Sequence, residues 1–163
     1  MKRTALPAAL LAFPIIGAAP AHADAASPRD IAALTQCLKA KAPSDVSRES
    51  CIKSIASPCF KGDEAAASSG QIIECFDREQ AAWDQLLNDA YARLRVKLDD
   101  TQQGKLRDMQ RAWIADRKLT CEFLYDYFQG TMAYPMIANC MNRETARRAI
   151  LLRGYAEDAE GRE

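Results

Sequence analysis

Histidine is almost absent from this chain, and its scarcity restricts the possible chemistry. The only one, His22, lies in an N-terminal segment that we expect to be removed, so the mature protein would have none. Catalysis by an imidazole base and metal ligation by imidazole are then excluded. The sequence also lacks a strand-like alternation of polar and apolar residues and any repeat of fixed period, which argues against β-rich and solenoid folds.

The first 23 residues have the pattern of a secretory signal peptide. Lys2 and Arg3 precede an apolar run over residues 5–19, and Ala21-His22-Ala23 supplies the small residues of a cleavage site. We expect cleavage before Asp24. The run is too short to cross a bilayer, and no cysteine at the cleavage point would carry a lipid. The sequence therefore predicts a periplasmic or secreted protein without a membrane span or lipid anchor.

The mature chain would carry little net charge. Removal of residues 1–23 takes away Lys2 and Arg3, which leaves 22 − 2 = 20 basic residues against 22 acidic ones, a net charge of −2. A charge this small does not indicate nucleic acid or strong membrane attraction. We expect neither kind of partner.

All six cysteines lie in the predicted mature part, and an even number in an exported chain points to three disulfides. A zinc site is a poor alternative, because without histidine it would need four thiolates and there is no Cys-x-x-Cys pair to begin one. The cysteines are Cys37, Cys51, Cys59, Cys75, Cys121 and Cys140.

The mature sequence predicts an all-α, disulfide-stapled bundle of about five helices, with a short N-terminal hairpin and three longer helices. Pro28 opens a helix to about Lys41, and a second short helix is expected over 47–56. Residues 61–70 are expected to form a loop. The long helices are expected over 71–98, from the Asp99 turn to about 128, and from about Pro135 onward. The predicted organisation is a signal peptide (1–23), an N-terminal helical extension (24–70), a helical domain (71–155) and an acidic tail (156–163).

This layout favours one cysteine pairing in particular. Cys121 comes late on one predicted helix and Cys140 early on the next, so a bridge between them would lock a helical hairpin. The same logic pairs Cys37 with Cys51 and Cys59 with Cys75, although the sequence alone leaves these two pairs open.

One predicted helix carries polar residues where a core-facing stripe should be aliphatic. Leu106, Gln110, Ile114, Arg117 and Cys121 fall on one side of that helix. The stripe is therefore either a buried polar interface or a functional site.

Polar residues on the neighbouring helices form a core polar motif with this stripe. We interpret these groups as satisfying one another across helix interfaces, with Asp84 as the expected carboxylate for Arg117 or Arg148. The alternative is a catalytic cleft, in which acid-base work would fall on Asp84 and Tyr91. We expect no enzymatic activity and no cofactor. The motif comprises Asp84, Asn88, Tyr91, Gln110, Arg117, Thr145 and Arg148.

The order and spacing of these residues, over about residues 71–153, resemble the lysozyme inhibitor LprI-like family. The matching elements are Cys75; Trp83-Asp-x-x-Leu-Asn88-x-x-Tyr91-x-x-Leu94; Leu106-x-x-x-Gln110-Arg-Ala-Trp-Ile114-x-x-Arg117-x-x-x-Cys121; and Cys140-x-x-x-x-Thr145-x-x-Arg148-x-x-x-Leu152.

The resemblance implies an exported helical domain with paired cysteines that binds and inhibits lysozyme. The sequence departs from the family's pattern at Lys118, where an acidic residue is common, and it lacks the lipid-attachment cysteine of the mycobacterial member that gives the family its name.

A lysozyme inhibitor needs a rigid loop that can enter an acidic cleft on a basic enzyme, and a mildly acidic surface would speed association. The predicted turn between Cys121 and Cys140 fits this description, and tyrosines are good interface anchors. The alternative is that its aromatic residues only cover the end of the hairpin. The candidate partner-binding residues are Asp126, Gln129, Gly130, Thr131 and Tyr134.

Two other functions remain open. The protein could be a structural cell-envelope module that binds another protein or peptidoglycan. It could also bind copper(I), because Met132, Met136, Cys140 and Met141 are close in sequence and carry soft ligands. An oxidised Cys140 would remove the best of these ligands, so we expect no metal site.

Overall fold

The computed structural model describes residues 26–161, so the predicted signal peptide lies outside the described residues. Within that range the chain is helical and has no strand, as the sequence predicts. The α-helices are α1 (Pro28–Ala40), α2 (Asp45–Arg48), α3 (Ala56–Cys59), α4 (Ser69–Arg95), α5 (Asp100–Phe128) and α6 (Ala133–Glu160), with a 3-10 turn at Glu49–Cys51 between α2 and α3.

The two long helices α4 and α5 begin with capping boxes that can be read in the sequence. Ser68 accepts a hydrogen bond from the backbone N–H of Gln71, and the Gln71 side chain accepts one in return from Ser68. Asp99 and Gln102 make the same reciprocal pair at the start of α5. These pairs satisfy N–H groups that a helix start otherwise leaves without partners, which fixes where each helix begins.

The last helix, α6, is the common partner of the other elements. It packs most extensively along α4 and to a lesser extent along α5, and the N-terminal segment packs on α4 and α6. The main core surrounds the fully buried Trp83, and a second apolar cluster forms around Phe60 and Phe76. By contrast, α5 buries only Leu106 and Cys121. Most of α5 is therefore exposed surface.

Three cysteine pairs form the expected staples. Cys121 and Cys140 join α5 to α6, with Cα atoms 5.6 Å apart. The other two bridges are Cys37–Cys51 and Cys59–Cys75. Both hold the N-terminal segment in place, the first within itself and the second onto α4.

The N-terminal segment differs from the expected short hairpin. The helix predicted over 47–56 is broken into α2, the 3-10 turn and α3, because Lys53 adopts φ 73°, a left-handed conformation that interrupts a helix. The backbone N–H groups after this break turn inward toward α4. These N–H groups donate to the carboxylate of Glu79 on α4, which lies more than twenty residues farther along the chain. Sequence periodicity therefore does not signal this break.

Ion pairs attach the N-terminal segment to the long helices. Asp30 of α1 is buried and accepts two hydrogen bonds of 2.7 Å from Arg78 of α4. Arg48 is 2% exposed and donates to Glu157 of α6 at 2.6 Å. The acidic residues near the C-terminus thus belong to α6 as far as Glu160 and take part in its packing.

No helix among residues 26–161 combines the length and the apolar character needed to span a bilayer.

Candidate functional site

A buried glutamate that the sequence analysis missed lies at the junction of α4, α6 and the N-terminal segment. Glu79 is fully buried, and its two carboxylate oxygens accept five hydrogen bonds, none of them from a cationic side chain in the part of the chain that the structure describes. The donors are the backbone N–H groups of Lys53 (2.7 Å), Ile55 (2.9 Å) and Ala56 (2.8 Å), the indole N–H of Trp83 (2.9 Å) and the side-chain amide of Asn142 (3.1 Å).

The pattern of α4 contained a signal for this residue. Glu79 lies three residues after Phe76 and four before Trp83, so it shares their face, and both of these residues are fully buried. A charged residue in the middle of an apolar stripe indicates a buried acceptor. Because both carboxylate oxygens are occupied by structural donors, Glu79 has the role of a fixed anchor for the N-terminal segment.

A polar seam joins α5 to α6. We define it as Gln110, Trp113 and Arg117 of α5 with Thr145 and Arg148 of α6. Arg117 donates from Nη1 to the Thr145 hydroxyl at 2.7 Å, and Arg148 donates from Nε to the Gln110 amide oxygen. Both guanidinium groups lie over the Trp113 ring, 4.6 Å from its centroid for Arg117 and 5.5 Å for Arg148. These cation–π contacts hold two like charges beside one aromatic ring.

The inward face of α5 is shifted from the one expected. Ile114 is 52% exposed, whereas Trp113 is half-buried and packs against the main core. Trp113 and Ile114 flank the arc defined by Leu106, Gln110, Arg117 and Cys121 on opposite sides, and the larger ring takes the inward position beneath the two guanidinium groups.

Two expected partners of the seam lie outside it. Asp84 is exposed and accepts a hydrogen bond from Asn88 at 3.1 Å, and Asp84 makes no ion pair with Arg117 or Arg148 in the described part of the chain. Tyr91 is half-buried against the main core. Thus the hydrogen bonds of the motif that cross a helix interface join α5 to α6, whereas the hydrogen bond between Asn88 and Asp84 lies within α4.

Burial leaves both seam arginines less strongly basic than usual. Desolvation lowers the pKa of Arg117, and the Asp84 carboxylate opposes this lowering through space. Desolvation also lowers the pKa of Arg148, with a smaller opposing effect from Tyr155. Both groups remain cations at neutral pH, so the seam holds two positive charges without a carboxylate in direct contact.

The far end of the α5–α6 hairpin carries a cluster of exposed apolar side chains that we call the aromatic tip. Its rings contact one another in pairs, with Tyr127 and Phe128 centroids 4.9 Å apart and Tyr125 and Tyr134 centroids 5.7 Å apart. Every member is at least 45% exposed. The aromatic tip consists of Phe123, Tyr125, Tyr127, Phe128, Met132 and Tyr134.

The five candidate partner-binding residues all lie at this end and are all exposed. Gln129 and Gly130 form the turn with φ angles of 52° and 82°. Glycine adopts this conformation without strain, which makes the turn tight and brings the ends of α5 and α6 together. The bridge between Cys121 and Cys140 lies behind the tip and fixes the two helices there.

The residues considered for copper do not present a thiolate. Cys140 is bonded to Cys121, and Met132 is 66% exposed at the tip. Among residues 26–161, no cluster of three or more histidine, cysteine or acidic side chains has the arrangement of a metal site.

The fold and the polar seam define a class of protein, an all-α domain stapled by disulfides, with a polar interface between its last two helices. The family model described as "Lysozyme inhibitor LprI" matches residues 59–152, more than half of the chain. The chain therefore belongs to the LprI lysozyme inhibitor family, as the motifs had indicated. No curated protein and no solved structure matches it.

Proposed function

We propose that this protein is an exported, non-catalytic inhibitor that binds lysozyme and blocks its cleft with the aromatic tip. The observation that carries the proposal is the exposed aromatic tip on a domain of the LprI family. We also propose that the protein works in the periplasm or outside the cell; its three disulfides support this, because disulfides persist in oxidising compartments.

The composition of the tip is that of a binding surface. Tyrosine, phenylalanine and methionine are enriched at protein interfaces, and exposed apolar clusters on otherwise polar surfaces mark interaction sites. A contact surface also gains affinity when it is rigid before binding, because less conformational entropy is then lost. The bridge between Cys121 and Cys140 and the tight turn at Gly130 supply that rigidity.

The direct test is lysis of bacterial cell walls, followed by turbidity. Purified oxidised protein at micromolar excess should slow lysis by at least one lysozyme of the c, g or i type. If lysis proceeds at the uninhibited rate with all three, the inhibitor proposal is wrong, and the alternative of an envelope module that binds another protein or peptidoglycan gains support.

A variant of the aromatic tip tests where lysozyme binds. Tyr127→Ser removes a ring that is 68% exposed, and we expect inhibition to weaken about 30-fold, equivalent to about 2 kcal/mol for an interface hot spot. The measurement is the inhibition constant from initial lysis rates. Val96→Ser is the matched control, because Val96 is 77% exposed but lies after α4, outside the tip. Equal weakening by both variants would contradict the assignment of the contact to the tip.

A further inference from the structure

The polar seam holds two cations whose hydrogen-bonding capacity is only partly used. Arg148 is 8% exposed, and its Nη2 atom is buried and has no acceptor among residues 26–161. The Nε atom of Arg117 is likewise buried without one. Their hydrogen bonds within residues 26–161 go to a neutral hydroxyl and a neutral amide. Buried guanidinium groups normally meet a carboxylate, because leaving donors unpaired costs free energy.

The α5 side of the seam is partly exposed to solvent. Gln110, Trp113 and Arg117 are half-buried on α5, so each reaches the surface, while Thr145 and Arg148 lie behind them on α6. On the α4 side, Asp84 and Asn88 are exposed and bonded to each other. A ligand that reached the seam from the α5 side would therefore meet Arg117 first and Arg148 behind it.

We propose that Arg117 and Arg148 form a receptor for one carboxylate group of an external ligand, with Trp113 as its platform. A carboxylate has two oxygens in a plane, and a guanidinium offers N–H donors in the matching fork. The two unsatisfied donor groups would each receive an acceptor. This site is separate from the aromatic tip and does not depend on lysozyme inhibition.

The local charge selects the kind of anion. The two arginines contribute +2 and the nearby Asp84 contributes −1, so the site has a net charge of about +1. Desolvation lowers the pKa of Arg117, and the charge of Asp84 acts through space to oppose that lowering. A monovalent carboxylate neutralises this charge, whereas a phosphate or sulfate dianion would leave an excess negative charge beside Asp84.

The test uses nuclear magnetic resonance of the oxidised, isotope-labelled protein. The protein is titrated with sodium acetate and, in a parallel experiment at the same ionic strength, with sodium chloride. The Nε–H signals of the arginines and of Trp113 are followed in both titrations. We expect saturable shifts of the Arg117, Arg148 and Trp113 signals with acetate and only small, linear shifts with chloride. Sulfate should bind at least fivefold more weakly than acetate. Shifts with acetate that never saturate, or that match those with chloride, would overturn the proposal.

Two substitutions in α5 distinguish binding at the polar seam from a general effect of positive charge. Arg117→Lys keeps the charge but loses the fork, and we expect acetate binding to weaken at least tenfold. The control is Arg111→Lys, at an exposed arginine on the same helix, which should leave binding unchanged. If Arg117→Lys binds acetate as tightly as the wild type, the receptor is not at the seam. Since the wild-type titration decides the question by itself, a poorly folded variant would not rescue the proposal.

Two further probes distinguish the source of the carboxylate. N-acetylmuramic acid carries it on a sugar, and N-acetylalanine carries it at the end of an amino acid. Saturable binding of either at the same signals supports the proposal, and the tighter of the two identifies the source. If neither binds, the acetate result reflects a small pocket closed to larger ligands, and the receptor proposal is wrong.

Discussion

Glu79→Gln is expected to lower the free energy of unfolding by about 4 kcal/mol, enough to leave the protein marginally folded. One carboxylate oxygen of Glu79 accepts from Lys53, Trp83 and Asn142, and the other from Ile55 and Ala56. In glutamine one of these oxygens becomes an NH2 group. Whichever one changes, at least two buried N–H donors then face another donor and lose their acceptor, at about 1–3 kcal/mol each.

Urea unfolding followed by circular dichroism measures this loss. Glu74→Gln on the same helix is the matched control, because Glu74 is exposed, and we expect it to change stability by less than about 0.5 kcal/mol. A loss below about 1 kcal/mol for Glu79→Gln would mean that the N-terminal segment is held by its disulfides and ion pairs without help from this carboxylate.

Removal of the bridge behind the aromatic tip is expected to destabilise the protein by about 3 kcal/mol and also to weaken lysozyme inhibition. The double variant Cys121→Ala with Cys140→Ala opens a loop with a sequence separation of 19 residues. In the chain-entropy model a loop of this size contributes about 3 kcal/mol. Inhibition should fall at least tenfold, because the helices that carry the tip are no longer fixed before binding.

The matched control is the double variant Cys59→Ala with Cys75→Ala. Its bridge has a similar sequence separation of 16 residues but lies away from the tip. We expect a similar loss of stability, measured by urea unfolding, and unchanged inhibition at a temperature where both variants are folded. An equal loss of inhibition in the two variants would contradict the view that the first bridge holds the tip ready for binding.

Local signals in the sequence were sufficient for most of the fold. The capping residue Asp99 marks the start of α5, and the positions of Cys121 and Cys140 on either side of a turn favour their pairing, whereas the sequence left the other two pairs open. The expected start of α4 at residue 71 was two residues late, because the helix begins at Ser69 after the Ser68 cap. Each of these features depends on residues that are close in the chain. They can therefore be read without knowledge of the tertiary structure.

The features that escaped prediction depend on distant partners. The path of the chain after Cys51 is fixed by hydrogen bonds to Glu79, which lies 23 to 26 residues farther along. Periodicity also could not decide between Trp113 and Ile114 as the inward residue, because adjacent positions differ by about 100° and both lie at the edges of the stripe. Packing of the large indole against the main core, with Arg117 of α5 and Arg148 of α6 over its ring, settles that choice in the folded protein.

The connectivity of the three bridges has a consequence for how the protein matures. The six cysteines are bonded as three consecutive pairs along the chain, so the first pair can close before the third cysteine has been synthesised. An oxidant that acts on the chain as it emerges, from the N-terminus onward, would produce the native set in order. Closure in this order reaches the native pairing without any step that rearranges a bridge.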